Sequence, residues 1–511
     1  MTHTLVHMLR DNAVHTPESR AVVLDSQHTT YRRLWADICA VAAFLKKNGL
    51  QPGDRVGVLL KNSPEYIAAY YGVLAAGGVV VGLNTMAKSR DLANWLQHSG
   101  ASWLFAEGQH PELVKVTNSL DNTVQLVLVG EPKGSEIDAP CQIWQELLQA
   151  TETGEEPDLS QLESAQTAAI IYTSGTTGQP KGVTLSHGNL SSNVRSIQQY
   201  LQLTANDRVL NVLPFYYSYG NSVLHTHLAV GATLVLENNL LFPHNVLTTM
   251  ANERATGFSG VPSTFAILLS RTRMENYELS SLRYMTQAGG AMAPAMIERL
   301  RKTLPHVRFF VMYGQTEATA RLAWLPPEML DAKPGSIGIA IPGVRLELRD
   351  KQGQPVAAGE TGEIWAAGEN IMQGYWRDPE LTCKVLEDGW LKTGDLAHCD
   401  EDGYFYIDGR SADMIKIGAN RISPKEIEEV ILELDGVEEA AVVGVPDELL
   451  GQVIKAVIVP SPGAQIEIKQ IRAHCWKQLA MYKVPKFIDF VTELPKTASG
   501  KVQRFLLAER S

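Results

Sequence analysis

The chain has 511 residues, 45% hydrophobic and 20% charged, the make-up of a globular protein too long for one core. Its formal net charge of -11 argues against a nucleic-acid or anionic-membrane partner, because such surfaces demand clustered Lys and Arg. Small molecules or proteins are the expected partners.

The five cysteines, Cys39, Cys141, Cys383, Cys399 and Cys475, are scattered and form no C-x-x-C pair. They read as reduced thiols behaving as small buried hydrophobes. Residues Met1 to Arg20 contain no apolar secretory core, so a cytoplasmic protein is expected. From Thr30 to about Val129, helical stretches (34–48 and 91–99) alternate with apolar runs (56–60, 79–82 and 124–129). That alternation predicts a layered α/β fold with substantially parallel strands. Within it, the uncharged run Ile67 to Leu83 is interrupted by Gly72, Gly77 and Gly78. It reads as a helix turning into a strand at 79–81, not as a membrane span.

An acidic loop, 151–158, leads toward the apolar run Ala168 to Ile171, a buried strand, and then to Tyr172–Val183, Y-T-S-G-T-T-G-Q-P-K-G-V. Glycines let successive N–H groups converge on one anion. Thr173, Ser174, Thr176 and Thr177 add hydroxyl donors, Gly175 and Gly178 the freedom to turn, and Lys181 a point charge. The alternative is a Gly/Ser/Thr surface turn. The segment is not the P-loop NTPase pattern, because Gly178 is followed by Gln179-Pro180-Lys181-Gly182 and not directly by Lys and Ser or Thr.

A second alternating block has strands at 209–213, 233–236 and 308–312, and closely spaced turns between Gly335 and Tyr406 predict a β-rich subdomain. A boundary is expected near Gly409 to Asp413. Beyond it, Ser423-Pro424-Lys425-Glu426 reads as a capping box opening a helix to about Leu434. Strands at 440–445, 453–459 and 487–491 and a helix at 466–479 complete a small α+β domain. The expected architecture is therefore α/β: an N-terminal domain, 1–409, of two layered α/β sheets plus a β-rich subdomain, and a small mobile C-terminal domain, 410–511.

Four further motifs occur in order: Tyr313-Gly314-Gln315-Thr316-Glu317, Trp390-Leu391-Lys392-Thr393-Gly394-Asp395, Tyr406-Ile407-Asp408-Gly409-Arg410 and Pro495-Lys496-Thr497-Ala498-Ser499-Gly500-Lys501. With the phosphate segment they make the chain resemble, over nearly its whole length, the adenylate-forming superfamily of acyl-CoA synthetases, peptide-synthetase adenylation domains and luciferase. The residues themselves suit such roles. Tyr313 offers a flat face for a purine, Thr316 a phosphate-directed hydroxyl and Glu317 a carboxylate for Mg²⁺. Asp395 can accept from ribose hydroxyls and Arg410 can add a donor, although a solvated turn or a surface ion pair would use the same residue types.

The resemblance implies more. Gly289-Gly290-Ala291 matches the loop beside adenine and acid, and Arg421 falls among the nucleotide-binding positions. Tyr217, Tyr219 and Val261 fall in the acid pocket, Ala412 at the hinge. Lys501 reaches from the small domain to the carboxylate and α-phosphate. The implied cofactors are ATP, Mg²⁺ and a thiol, either coenzyme A or the phosphopantetheine of a carrier protein. The implied activity is AMP-forming ligation of a small carboxylic acid to that thiol. Rival readings are a stand-alone enzyme loading an amino acid onto a carrier protein, a luciferase-like adenylate oxygenase, and an ATP-sensing binding module.

The chain departs from the family pattern at three places. Ala412 stands where Asp or Lys is typical, and Tyr217 stands where many acyl-CoA synthetases carry His. From Asn211 to Leu236 there is no Asp or Glu, whereas amino-acid-activating relatives place a carboxylate there for the substrate ammonium. His225 and His227 have metal-ligand spacing but no carboxylate or thiol close in sequence, and are expected to be core or pocket groups.

Overall fold

The structure, a computed structural model, describes residues 3–120, 124–132, 141–150, 156–173, 181–410, 413–417, 420–447, 451–496 and 502–508. The two alternating blocks each build a large sheet. In the first sheet, strands Arg20–Leu24, Thr233–Leu236, Arg208–Asn211, Gly257–Gly260, Tyr284–Gln287 and Arg308–Tyr313 run parallel. In the second, Thr167–Thr173, Val79–Gly82, Arg55–Leu59, Trp103–Glu107, Gln125–Val129 and Cys141–Ile143 do so. Strands covered on both faces read as continuous apolar runs, which is why seven of these were visible in the sequence, while Arg20–Leu24, Trp103–Glu107, Cys141–Ile143, Gly257–Gly260 and Tyr284–Gln287 were not named. One apolar core joins the sheets through helices Tyr31–Lys47, Pro64–Ala75, His187–Leu201 and Ser218–Ala229, and includes Ile38, Tyr66, Val194 and Leu224.

The uncharged run resolves into the buried helix Pro64–Ala75, a turn at Gly77 with φ +84° and the strand Val79–Gly82. Gly72 is an interior position of that helix: a Cβ there would lie 2.5 Å from Val41 Cγ1, so its bareness lets the neighbouring helix approach. No described helix is long and apolar enough to cross a membrane.

The β-rich region forms the third sheet, with Val344–Arg349, Gly362–Gly368, Trp390–Cys399 and Phe405–Arg410 antiparallel. Past Arg410, strands Ile415–Ile417, Asn420–Ile422, Val437–Asp447, Gly451–Pro460 and Phe487–Phe490 make the fourth sheet. Helices Pro424–Leu432 and Ile468–Gln478 pack on it around Ile427, Ile454 and Ile471. The protein thus has a large N-terminal domain holding three sheets and a smaller C-terminal domain around the fourth.

Three expectations are corrected. Pro424 does open its helix, but the capping box does not form. The buried Ser423 hydroxyl has no partner among the described residues, and the Glu426 carboxylate goes to Lys483 Nζ at 2.6 Å, a charged partner outcompeting a backbone amide. All five thiols are free, but only Cys39 and Cys475 are buried, with Cys399 intermediate and Cys141 and Cys383 exposed. Finally, the sequence reading began the fold at Thr30 and missed helix Leu5–His15 and the hairpin Arg20–Leu24/Gln27–Thr30. That hairpin joins the first sheet beside Thr233–Leu236, about two hundred residues away, a pairing no local pattern announces.

Candidate active site

In open α/β sheets, ligands gather at the carboxyl ends of the strands. Here Thr173 and Tyr313 end strands of the second and first sheets, and Asp395 lies within a strand of the third. Thr173 ends one strand of the second sheet and Lys181 opens the next, and the two are paired across the antiparallel ladder. The two residues that flank the phosphate segment therefore stand side by side in the sheet. Ser174, Gly175, Thr176, Thr177 and Gly178 lie outside the described residues, as do Ala412, Lys501 and the side chain of Arg421.

The strand Arg308–Tyr313 of the first sheet delivers the Tyr313–Glu317 motif. Gly314 is dictated by close backbone approach, since a Cβ there would sit 2.1 Å from the Ala320 carbonyl oxygen. Thr316 Oγ1 lies 3.2 Å from Ser218 Oγ at the start of helix Ser218–Ala229. Glu317 Oε1 accepts from the Tyr375 phenol at 2.9 Å. Burial and the Glu317 charge both push that phenol well above its ordinary pKa, so it keeps the proton it donates. Glu317, Gln315, Tyr375, Lys392 and Thr393 line a cavity of about 300 Å³.

Asp395, on the third sheet, is 4% exposed. The Tyr313 phenol donates to its Oδ2 at 2.6 Å and Arg410 Nε donates to its Oδ1 at 2.9 Å. Burial first, then the Asp395 charge, holds the Tyr313 phenol far above its usual range. The neighbouring carboxylate correspondingly raises Arg410. Two protein donors leave lone pairs on both carboxylate oxygens for further hydroxyls, since a carboxylate offers about four acceptor sites.

On the other side, Val261 Cγ1 lies 3.1 Å from where a Cβ on Gly289 would stand, and Gly289 takes φ +86°. Gly290 accepts through its carbonyl from Gln287 Nε2 at 2.6 Å, while Ala291 is exposed. The Tyr219 phenol donates to the Thr286 carbonyl at 2.9 Å, and Arg321 sits 4.1 Å from its ring centroid, which fixes Tyr219 as a wall. Tyr217 is half-buried, packs on Tyr216 at 4.6 Å and accepts from Asn84 at 3.3 Å. His225 and His227 are core groups, pushed down by burial to about 3 and about 4. Each is bonded to a buried phenol, of Tyr71 at 2.8 Å and Tyr284 at 2.6 Å. Among the described residues no group of three or more metal-ligating side chains occurs. Mg²⁺ needs no such group: it is typically held by one or two carboxylates plus substrate phosphates, and Glu317, with its second oxygen bound by no described residue, fits.

Sequence reasoning singled out neither Tyr375 nor Asn370, though both hold the Glu317 turn. Their sole local signal is the unremarked run Glu369-Asn370-Ile371-Met372-Gln373-Gly374-Tyr375, which carries no charge cluster or glycine repeat.

The Thr173/Lys181 strand pair, Glu317 and Asp395 are linked through Tyr375 and Tyr313 in the large domain, and the chain's relatives give its class: an AMP-forming acid–thiol ligase. The chain belongs to the AMP-binding enzyme family: that family's model matches residues 9–376, and the AMP-binding enzyme C-terminal domain matches residues 426–501. It is 36% identical over 490 residues to a feruloyl-CoA synthase of Amycolatopsis sp, covering 95% of each chain. It is 33% identical over 542 residues to a long-chain-fatty-acid–CoA ligase of Bacillus subtilis (strain 168), covering 99% of this chain and 94% of the relative. The solved structure of the anthranilate CoA ligase AuaEII in complex with anthranoyl-AMP matches with TM-score 0.90 at 29% identity, over 99% of this chain and 96% of that one.

Proposed function

We propose that this ligase activates a carboxylic acid lacking an α-ammonium group and passes the acyl group to coenzyme A. The observation that carries the reading is the convergence of Thr173 and Lys181, Glu317 and Asp395 at the junction of three sheets. A carboxylate is a poor electrophile, so it must first gain a leaving group. Its oxygen attacks the α-phosphorus of ATP, pyrophosphate departs, and an acyl-adenylate remains for the thiol to attack, releasing AMP.

Several anions meet in that step, so positive charge and oriented donors are the main catalytic need. Lys181 supplies charge at the phosphates, Thr316 a hydroxyl, and Asp395 with Arg410 grips the ribose. Glu317 would hold Mg²⁺, which neutralises charge on the phosphate oxygens when bound. Gly289, Gly290 and Ala291 flank the adenine, Arg421 joins the nucleotide site, and Tyr217, Tyr219 and Val261 shape the acid pocket. The small domain follows Arg410, hinges at Ala412 and carries Lys501 into the site. We assign the protein to the cytoplasm, a reading supported by its five free thiols.

The absence of an ammonium partner supports the choice of acid. Residues 211–236 contain no carboxylate, and Tyr217, Tyr219 and Val261 are neutral. Glu317 and Asp395, the two carboxylates named at the site, are assigned here to Mg²⁺ and the ribose. Among the described residues assigned to the acid pocket, none therefore offers a buried ammonium a counter-charge. In pyrophosphate exchange across paired acids, the unaminated member is expected to give the stronger signal, for instance phenylpropanoic acid over phenylalanine. An amino acid as the best substrate would overturn this choice.

A further inference from the structure

We infer that Tyr375 is a positioning residue for the metal carboxylate: its phenol fixes one oxygen of Glu317 so that the other is presented to the divalent cation. The inference rests on the reading of Glu317 as the Mg²⁺ carboxylate. Glu317 sits in a single 3₁₀ turn, Thr316–Ala318, too short to hold a side chain by its own hydrogen bonds. The residue after that turn is strained: Thr319, β-branched, stands at φ 65°, ψ -58°. Such conformations persist only where the surroundings over-determine them, and they cluster at functional sites.

The surroundings here are one short segment, 370–376. Thr319 Oγ1 donates to the Asn370 carbonyl at 2.7 Å, and Asn370 Nδ2 donates to the carbonyls of Ala318 at 3.2 Å and Arg321 at 2.9 Å. The Met372 amide donates to the Glu317 carbonyl at 2.9 Å. The same segment then pairs, at Gly374 and Tyr375, with Thr184 and Val183 on the strand that Lys181 opens, and the Trp376 amide donates to the Gly182 carbonyl at 2.7 Å. One stretch of chain thus registers the turn of Glu317 against the strand of the phosphate-binding lysine. Tyr375 completes it at the side-chain level, through a single oxygen, on the wall of the cavity that both residues line. Removing a group that orients a ligating side chain typically costs 10–100-fold in metal affinity.

The test uses Mn²⁺ as the probe cation and α,β-methylene-ATP as the nucleotide, with free Mn²⁺ read by electron paramagnetic resonance in titrations of the full-length protein. Tyr375→Phe, which keeps the ring packed in the core, is expected to weaken Mn²⁺ binding to the protein–nucleotide complex about tenfold or more. Nucleotide affinity in EDTA and the thermal midpoint should stay at parental values. Glu317→Gln is expected to weaken Mn²⁺ at least as much, and the double variant to be no weaker than Glu317→Gln alone. Tyr375→Phe with parental Mn²⁺ affinity, while Glu317→Gln weakens it, would overturn the positioning role and leave Glu317 as metal carboxylate. Additive losses in the double variant would likewise overturn it. Parental Mn²⁺ binding by Glu317→Gln would overturn the reading on which the inference stands.

Discussion

Replacing Lys501 by Ala is expected to slow adenylate formation by at least about 10²–10³-fold, the effect of deleting one preorganised donor at a developing charge. The lysine itself lies outside the described residues, but the chain on either side of it is held. Lys496 and Val502 form a β-bridge, the Gln503 amide donates to the Pro495 carbonyl at 2.8 Å, and Lys496 Nζ pairs with Glu439 at 2.6 Å. Arg504 is anchored to Glu428 and approaches Asp413 at 3.8 Å. Lys496 and Val502, which flank the undescribed stretch, are thus both tied to the small domain, so a rotation of that domain would carry the flanks of Lys501 with it. If Lys501 acts only in the adenylating pose, acyl transfer from chemically made acyl-adenylate to coenzyme A should proceed at the parental rate in the variant. Equal losses in the two assays would mean that Lys501 is structural or that the domain does not alternate.

Asp395→Asn is expected to weaken ATP use by about 1.5–3 kcal/mol, the range for hydrogen bonds to charged groups, or about 10- to 150-fold in kcat/KM. The structure sharpens the reason. Both oxygens already accept from donors, the Tyr313 phenol and Arg410 Nε, so an amide NH₂ placed on either side meets another donor and releases one of them. The buried Tyr313 hydroxyl or the Arg410 guanidinium is then left without its partner, in addition to the loss at the ribose. ATP and GTP should suffer alike, because the base lies elsewhere. Unchanged kinetics with either nucleotide would show that Asp395 does not hold the ribose.

Most of the architecture was legible because strands buried on both faces announce themselves. Thr233–Leu236 and Val79–Gly82 coincide with the apolar runs that predicted them, and Arg308–Tyr313 runs one residue further. The turn-rich stretch from Gly335 proved to be the third sheet for a related reason, since antiparallel hairpins punctuate the chain with glycine and proline. What stayed hidden was partly local, since Gly257–Gly260 and Tyr284–Gln287 are buried but broken by Gly, Ser, Thr and Gln, and partly long-range. In the hairpin Arg20–Thr30 the strand Gln27–Thr30 is polar and largely exposed, and Arg20–Leu24, though buried at its centre, pairs with a strand encoded far downstream. The capping residues at Ser423 and Glu426 followed local rules that a tertiary ion pair overrode.

At the site, residues with charge or glycine spacing stood out, whereas their supports did not. Asp395 and Glu317 were nameable from motifs. The phenol on each depends on which strands meet: Tyr313 reaches Asp395 across two sheets, and Tyr375 reaches Glu317 through an edge strand of two residues. The thermodynamic weight of such contacts is set by burial, a property of the fold.

The central claim is that the acid is activated as an adenylate. Its most direct measurement is incorporation of labelled pyrophosphate into ATP in the presence of the preferred acid without thiol, together with identification of the nucleotide formed when coenzyme A is added. The account predicts acid-dependent exchange and one AMP per thioester; release of ADP without exchange would instead indicate an acyl-phosphate route and contradict it.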